Sequence, residues 1–77
     1  MKKYYTEISF QYYDDEGVEN FMSSFILYAR NSISALKKIN KESLKLLKEE
    51  TSDNIEIYSF SIDTMYETTE DAIIWKN

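Results

Sequence analysis

His and Cys, the side chains that most often act as general base and thiolate nucleophile, are both absent from this chain of 77 residues. A nucleophile would therefore have to be Ser, Thr, Lys or a carboxylate, activated by burial or by a neighbouring base. Acids that could do acid–base chemistry fall in three polar segments, at 14–19, 49–53 and 67–71. Solvated carboxylates are usual in such turns and tails. The sequence predicts no catalytic residues and a protein that is not an enzyme.

The acids around the single Gly are the candidate for a metal site. Asp14, Asp15, Glu16 and Glu19 flank Gly17, but the spacing D-x-[DN]-x-[DN]-G of a calcium loop is absent. Without Cys, neither a thiolate zinc site nor a disulfide framework can form. We expect a charged hairpin turn here, with no metal and no cofactor.

Charge is unevenly distributed along a chain whose formal net charge is −5. Five of the nine basic residues lie between Lys37 and Lys48, whereas the segment from Glu49 to Asp71 contains eight acids and no Lys or Arg. Carboxylates attract the basic side chains of nucleic-acid-handling proteins and speed their encounter. We therefore expect an acidic partner-binding surface formed by Asp53, Glu56, Asp63, Glu67, Glu70 and Asp71.

The lysines suggest an alternative function. On a helix, Lys37, Lys41, Lys45 and Lys48 fall on one stripe, which could bind phosphate groups. The acidity of the whole chain opposes this interpretation, and the stripe lacks Arg, the residue best suited to fork-like phosphate and base contacts. A nucleic-acid binder is therefore the less favoured hypothesis.

Seven Tyr, four Phe and one Trp are more aromatic residues than a one-helix core of this size can enclose. Tyr and Met are frequent in protein interfaces, because they bury a large area and keep a polar tip or pliable packing. The sheet face away from the helix is expected to be a dimer contact or a partner site, unless a tail carrying Trp75 covers it. Its expected members are Tyr5, Met22, Ile26 and Tyr28, with Tyr13 and either Tyr58 or Tyr66.

Hydrophobic periodicity predicts a β-β-α-β order of elements. Period-2 alternation indicates strands over 3–13 and 18–30, joined by a three- to five-residue loop in which Gly17 takes a positive φ. A helix follows over 31–50, capped by Asn31 or Ser32, and a third strand covers 55–65 with a bulge or two-sided burial near Tyr58. The 68–75 tail has both helix and strand signals, and we favour a short helix or turn.

These elements predict one α+β domain over 1–77, a two-layer sandwich with an antiparallel-dominated sheet and the long helix on one face. The pairing of the third strand stays open. At about 100° per residue, Ile33, Leu36, Leu44 and Leu47 fall together, and Ala35, Ile39 and Leu46 widen the arc. The expected core comprises Ile8, Phe10, Phe25, Leu27, Ile33, Leu36 and Leu47.

The chain is short and acidic, and it contains one Gly and no Pro. A resemblance to a class of known proteins is based on these features. With its expected α+β fold, the chain resembles small inhibitor proteins encoded by phages and mobile elements, such as anti-CRISPR proteins. The resemblance implies occlusion of a host nucleic-acid-handling enzyme, and it transfers no functional residue. We therefore expect a non-enzymatic protein-binding inhibitor in the cytoplasm of a bacterial host. The alternatives are a structural or regulatory homodimer joined through the open sheet face, and the nucleic-acid binder.

Overall fold

The computed structural model describes residues 1–51 and 54–69. Three strands, β1 (Lys2–Asp14), β2 (Gly17–Ala29) and β3 (Glu56–Thr68), form a sheet in the order β2-β1-β3, and both neighbouring pairs are antiparallel. The helix α1 (Ser32–Glu50) lies on one face. The predicted α+β class is confirmed, and the open question of how β3 pairs is answered. Residues 70–75 of the predicted C-terminal element lie outside the described residues.

The β1–β2 hairpin turns through two residues, fewer than predicted. Asp14 is the partner of Gly17, so Asp15 and Glu16 form the loop. Gly17 has a φ of +117°, which L side chains rarely adopt, and this confirms the predicted positive φ. The Glu16 N–H donates a 2.8 Å hydrogen bond to Asp14 Oδ1. This local bond holds the short loop closed.

β3 contains two irregularities in its pairing with β1. Opposite the step from Gln11 to Tyr12 of β1, β3 has one extra residue, Tyr58. Opposite the step from Glu7 to Ile8, it has another, Asp63. The first shift confirms the bulge predicted near Tyr58; the second was not predicted. Each extra residue reverses the face on which the following side chains lie. Together the shifts keep four apolar side chains on the helix side: Ile57, Phe60, Ile62 and Met65.

The helix is anchored at its start and lies close to the sheet. Asn31 caps it, because its Oδ1 accepts a 2.9 Å hydrogen bond from the Ser34 N–H. α1 packs mainly on β2 and to a lesser extent on β1. Ala29 of β2 and Ala35 of α1 are both fully buried, and their small side chains leave room for a close approach. The buried helical residues recur every four positions: Ala35, Ile39, Ser43 and Leu47.

The buried stripe of α1 shows that the predicted helix face was wrong. Ile33 is 66% exposed and Leu36 is 46% exposed, so neither belongs to the core. The prediction weighted the largest apolar side chains, whereas the helix turns its smaller residues, Ala35 and Ser43, toward the strands. The other expected core residues fit the structure: Ile8, Phe10, Leu27 and Leu47 are buried, and Phe25 is partly buried against them.

Two buried hydroxyls identify a position where stability can be gained. Thr6 Oγ1 and Ser43 Oγ have no hydrogen-bond partner among the described residues. An unsatisfied buried polar group costs about 1–3 kcal/mol. Ser43→Ala is therefore expected to raise the free energy of unfolding by about 1 kcal/mol in urea denaturation. Ser34→Ala, in the same helix but half-buried, measures the gain from helix propensity alone; an equal gain in both variants would contradict the expectation.

Candidate interaction surface on the open sheet face

The face of the sheet opposite α1 is called the open face here. It is built by the odd-numbered residues of β1, because the even-numbered Tyr4, Thr6, Ile8 and Phe10 are buried on the helix side. Tyr5 has Ile26 as its partner on β2 and Tyr66 as its partner on β3. Strand register therefore brings aromatic and apolar side chains from all three strands onto one surface.

Two tyrosine pairs lie toward opposite ends of the open face. The ring centroids of Tyr5 and Tyr66 are 5.3 Å apart, and those of Tyr13 and Tyr58 are 4.8 Å apart. Both distances lie in the range favoured by aromatic pairs, and both pairs are tilted. The bulge at Asp63 places Tyr66 on this face, because an uninterrupted register would have turned it toward the helix. Each pair presents a fixed aromatic platform to a ligand.

The predicted members of this surface share the open face. Met22 is 78% exposed and Tyr28 is 54% exposed, whereas Tyr5 and Ile26 are half-buried by neighbouring strands. Tyr13, Tyr58 and Tyr66 are each about half exposed, and Val18, which was not predicted, is 53% exposed. The open face thus carries large apolar side chains on every strand.

Side-chain hydrogen bonds link polar groups on the open face. Tyr5 Oη donates to Glu7 Oε2 at 2.8 Å, and Ser59 Oγ donates to Gln11 Oε1 at 3.3 Å. The hydrogen bond to Glu7 raises the pKa of the Tyr5 phenol, because ionisation would remove the proton that forms this bond; partial desolvation raises the pKa further.

The three predicted acids that the structure describes do not share one face of the sheet. Glu56 lies on the open face opposite Tyr13, and Asp63 occupies the second bulge. Glu67 lies opposite Tyr4 on the helix side, where its carboxylate is 3.6 Å from Lys2 Nζ. Asp53, Glu70 and Asp71 lie outside the described residues. What the three described acids share is their strand, β3, at the edge of the sheet.

The helix lysines lie on the other side of the sheet from the open face. Lys37, Lys41, Lys45 and Lys48 are exposed on α1. Lys41 reaches the outer edge of β2, where it lines a groove with Ile26 and Tyr28, whereas the tyrosine pairs lie on the face of the sheet opposite the helix. A nucleic acid could not place its bases on the open face and its phosphates on this stripe without wrapping around an edge.

Two exposed flanks of α1 were not predicted as surfaces from the sequence. The apolar flank consists of Ile33, Leu36 and Leu44, all exposed. The charged flank consists of Lys38, Glu42, Lys45 and Glu49, on the opposite side of the helix, and Lys38 Nζ donates a 2.8 Å hydrogen bond to the Tyr28 carbonyl at the outer edge of β2. The charged flank could have been recognised in the sequence, because its four charges alternate in sign at spacings of four, three and four residues.

Residues 1–51 and 54–69 contain no group of three or more His, Cys, Asp or Glu residues that could hold a metal ion. Nor do these residues form a helix long and apolar enough to cross a membrane. Comparison of the chain with protein-family models, with curated proteins and with solved structures gave no match.

Proposed function

We propose that this chain is a non-enzymatic protein-binding protein of the inhibitor type, and that it captures its target on the open face. The observation that carries the proposal is a pair of aromatic and apolar clusters toward opposite ends of the open face, each with members from all three strands: Tyr5, Ile26 and Tyr66 at one end, and Tyr13, Val18 and Tyr58 at the other. Small proteins rarely leave such a surface exposed unless it binds something. Tyr and Met are also the side chains that interfaces favour.

The size of the open face suits a protein partner. Three strands of thirteen residues, with about 4.8 Å between strands and about 3.3 Å per residue, give a face of roughly 40 by 14 Å. Contact over this area would bury somewhat less than the roughly 800 Å² per partner of a standard interface. It would be an interface of small to moderate size. The tyrosine pairs would act as preformed anchors, because neighbouring rings already restrict their movement.

The charge of the chain favours a basic target. A net charge of −5 attracts proteins rich in Lys and Arg, and Glu56 adds a carboxylate to the rim of the open face beside Tyr13. Basic grooves are typical of nucleic-acid-handling proteins. Blocking such a groove in a bacterial host enzyme is the mode of action that we propose, as for inhibitors encoded by phages and mobile elements.

Net charge and topology weigh against direct nucleic-acid binding. Glu7 and Glu56 lie on the same face as the tyrosine pairs, where they would repel phosphates from any base stacked there. The lysines that could attract phosphates are on the helix. A homodimer joined through the open face remains the alternative, because the same apolar side chains would serve it.

Met22→Glu is expected to abolish capture of the target from a bacterial lysate. Met22 is 78% exposed, so the change should leave folding intact while it places an unpaired charge in the contact. The matched control is Ile33→Glu, which converts another exposed apolar residue, on the apolar flank of α1. Proteins retained by immobilised wild type and by both variants are compared by mass spectrometry.

Retention of the same target by Met22→Glu, or its loss from both variants, would contradict the proposal. Sedimentation equilibrium on wild type and on the two variants distinguishes the homodimer alternative from capture of a foreign protein. A wild-type dimer that Met22→Glu converts to a monomer, with no foreign protein retained, would favour self-association over capture of a foreign target.

A further inference from the structure

The two edges of the sheet are unlike. β3 has two bulges and three acids, Glu56, Asp63 and Glu67, and such features prevent an edge from pairing with another strand. β2 pairs with β1 over thirteen residues without interruption, and Glu19 is its single charged residue. Within the described residues, β1 is the strand with which β2 pairs. β2 is therefore the long and regular edge of this sheet.

The hairpin turn determines which backbone groups β2 presents at this edge. The pair Asp14–Gly17 closes a two-residue loop, so the odd-numbered residues of β2 direct their N–H and C=O groups toward β1. The even-numbered residues direct theirs outward. The hydrogen bond from Lys38 Nζ to the Tyr28 carbonyl agrees with this assignment. Ser24 and Ile26, near the middle of the strand, therefore present backbone groups suited to a further strand.

The charged flank of α1 runs along the same edge. Lys38 and Glu42 line a groove with Ile26 and Tyr28, and Glu49 lines a second depression with Ser24. The helix therefore runs antiparallel to β2, with the middle of its charged flank near Ser24 and Phe25. In the described part of the chain, none of the four flank charges forms an ion pair.

We propose that β2 pairs antiparallel with β2 of a second copy of this chain around a two-fold axis near Ser24 and Phe25. The charged flank is self-complementary in this arrangement. Antiparallel helices that place Lys38 opposite Glu49 of the second copy also place Glu42 opposite Lys45 of the second copy. One register satisfies both pairs and, through the symmetry, their two equivalents. Because the signs of the charged flank alternate, the complementary partner is a second copy of the same chain.

The geometry of sheets and helices permits this assembly. Strands are spaced by about 4.8 Å, so two helices lying over the β1–β2 boundaries on either side of the axis would be about 10 Å apart. That is the usual distance between packed helices. The result is a six-stranded sheet with both helices on one face and the two open faces joined on the other. A target would meet a surface twice as wide.

The test exchanges charges between two variants of the full chain. Glu42→Lys/Glu49→Lys makes the flank entirely basic, and Lys38→Glu/Lys45→Glu makes it entirely acidic. Wild type is expected to sediment as a dimer at low salt. Each variant alone is expected to have a dissociation constant at least about tenfold higher, because four pairs become repulsive. An equimolar mixture of the two variants should restore the dimer.

Ser24→Pro tests the strand contact with the charges intact. Proline removes the outward N–H at a position where an edge strand tolerates it, so circular dichroism should stay that of a folded chain while the dimer is lost. A monomeric wild type would overturn the proposal, as would a dimer that both charge variants keep. A dimer that dissociates with Met22→Glu but not with the charge variants would assign self-association to the open face instead.

Discussion

Ile39→Ala is expected to lower the free energy of unfolding by about 2–5 kcal/mol, as truncation of a buried Ile usually does. Ile39 is fully buried in the middle of the helical stripe that faces the strands. The loss combines the transfer free energy of the removed methylene and methyl groups with the cost of the cavity. A domain of this length is expected to have a total stability of only about 4–12 kcal/mol. Urea denaturation followed by circular dichroism measures the change.

Leu36→Ala is the matched control in the same helix. Leu36 is 46% exposed on the apolar flank, so its truncation should cost less than about 1 kcal/mol. Both variants replace a large aliphatic residue with Ala; the β-branched Ile39 gains slightly more helix propensity, which would reduce the expected difference and cannot produce it. A greater loss from Leu36→Ala than from Ile39→Ala would show that the helix turns its other face toward the sheet.

Phe10→Ala is expected to cost about 3–5 kcal/mol. Phe10 is 3% exposed on the central strand, and its ring lies 4.7 Å from that of Phe60 on β3 and 6.3 Å from that of Phe21 on β2. Truncation therefore opens a cavity that all three strands share. Thermal unfolding followed by circular dichroism should show a large decrease in the melting temperature.

Tyr13→Ala provides the comparison for this change. Tyr13 pairs with Tyr58 at 4.8 Å, nearly the same centroid distance as the Phe10–Phe60 pair, but it is 45% exposed on the open face. Its truncation removes a ring pair without a buried cavity, and we expect a loss of about 1 kcal/mol. If the two variants lost equal stability, ring pairing rather than burial would dominate in this sheet.

The strands could be predicted from the sequence because period-2 alternation is a local signal. Residues 3–13 alternate strictly, and the structure extends that strand by one residue at each end. The open face followed from the same alternation, since Tyr5 on β1 and Ile26 on β2 come together once the hairpin register is known. The turn itself was predicted from Gly17, although its length was overestimated.

The orientation of α1 could not be predicted in the same way. Apolar residues occupy about half of the helix circumference, which is wider than the face that contacts the sheet, so hydrophobicity alone permits several orientations. The sheet selects among them by closeness of approach, which favours Ala35 and Ser43 over Ile33 and Leu36. That choice depends on the shape of the strands beneath the helix.

Glu67 lies on the other face of the sheet from Glu56 because of a bulge. Simple alternation after Ile62 would place Glu67 on the open face and Tyr66 under the helix. The extra residue at Asp63 exchanges them, and Glu67 comes to lie beside Lys2. Bulges depend on the register of the neighbouring strand, so they leave little trace in hydrophobic periodicity.

The central position of β1 has a consequence for the order of folding. β1 and β2 are joined by a two-residue loop and can pair within microseconds, whereas β1 and β3 come from opposite ends of the described chain. Closing that long loop has a larger entropic cost and should set the folding rate. During synthesis, β1 must wait with one edge unpaired until β3 has left the ribosome. Until then the unpaired edge of β1 can pair with other chains, so we expect aggregation to be most favourable at this stage of synthesis.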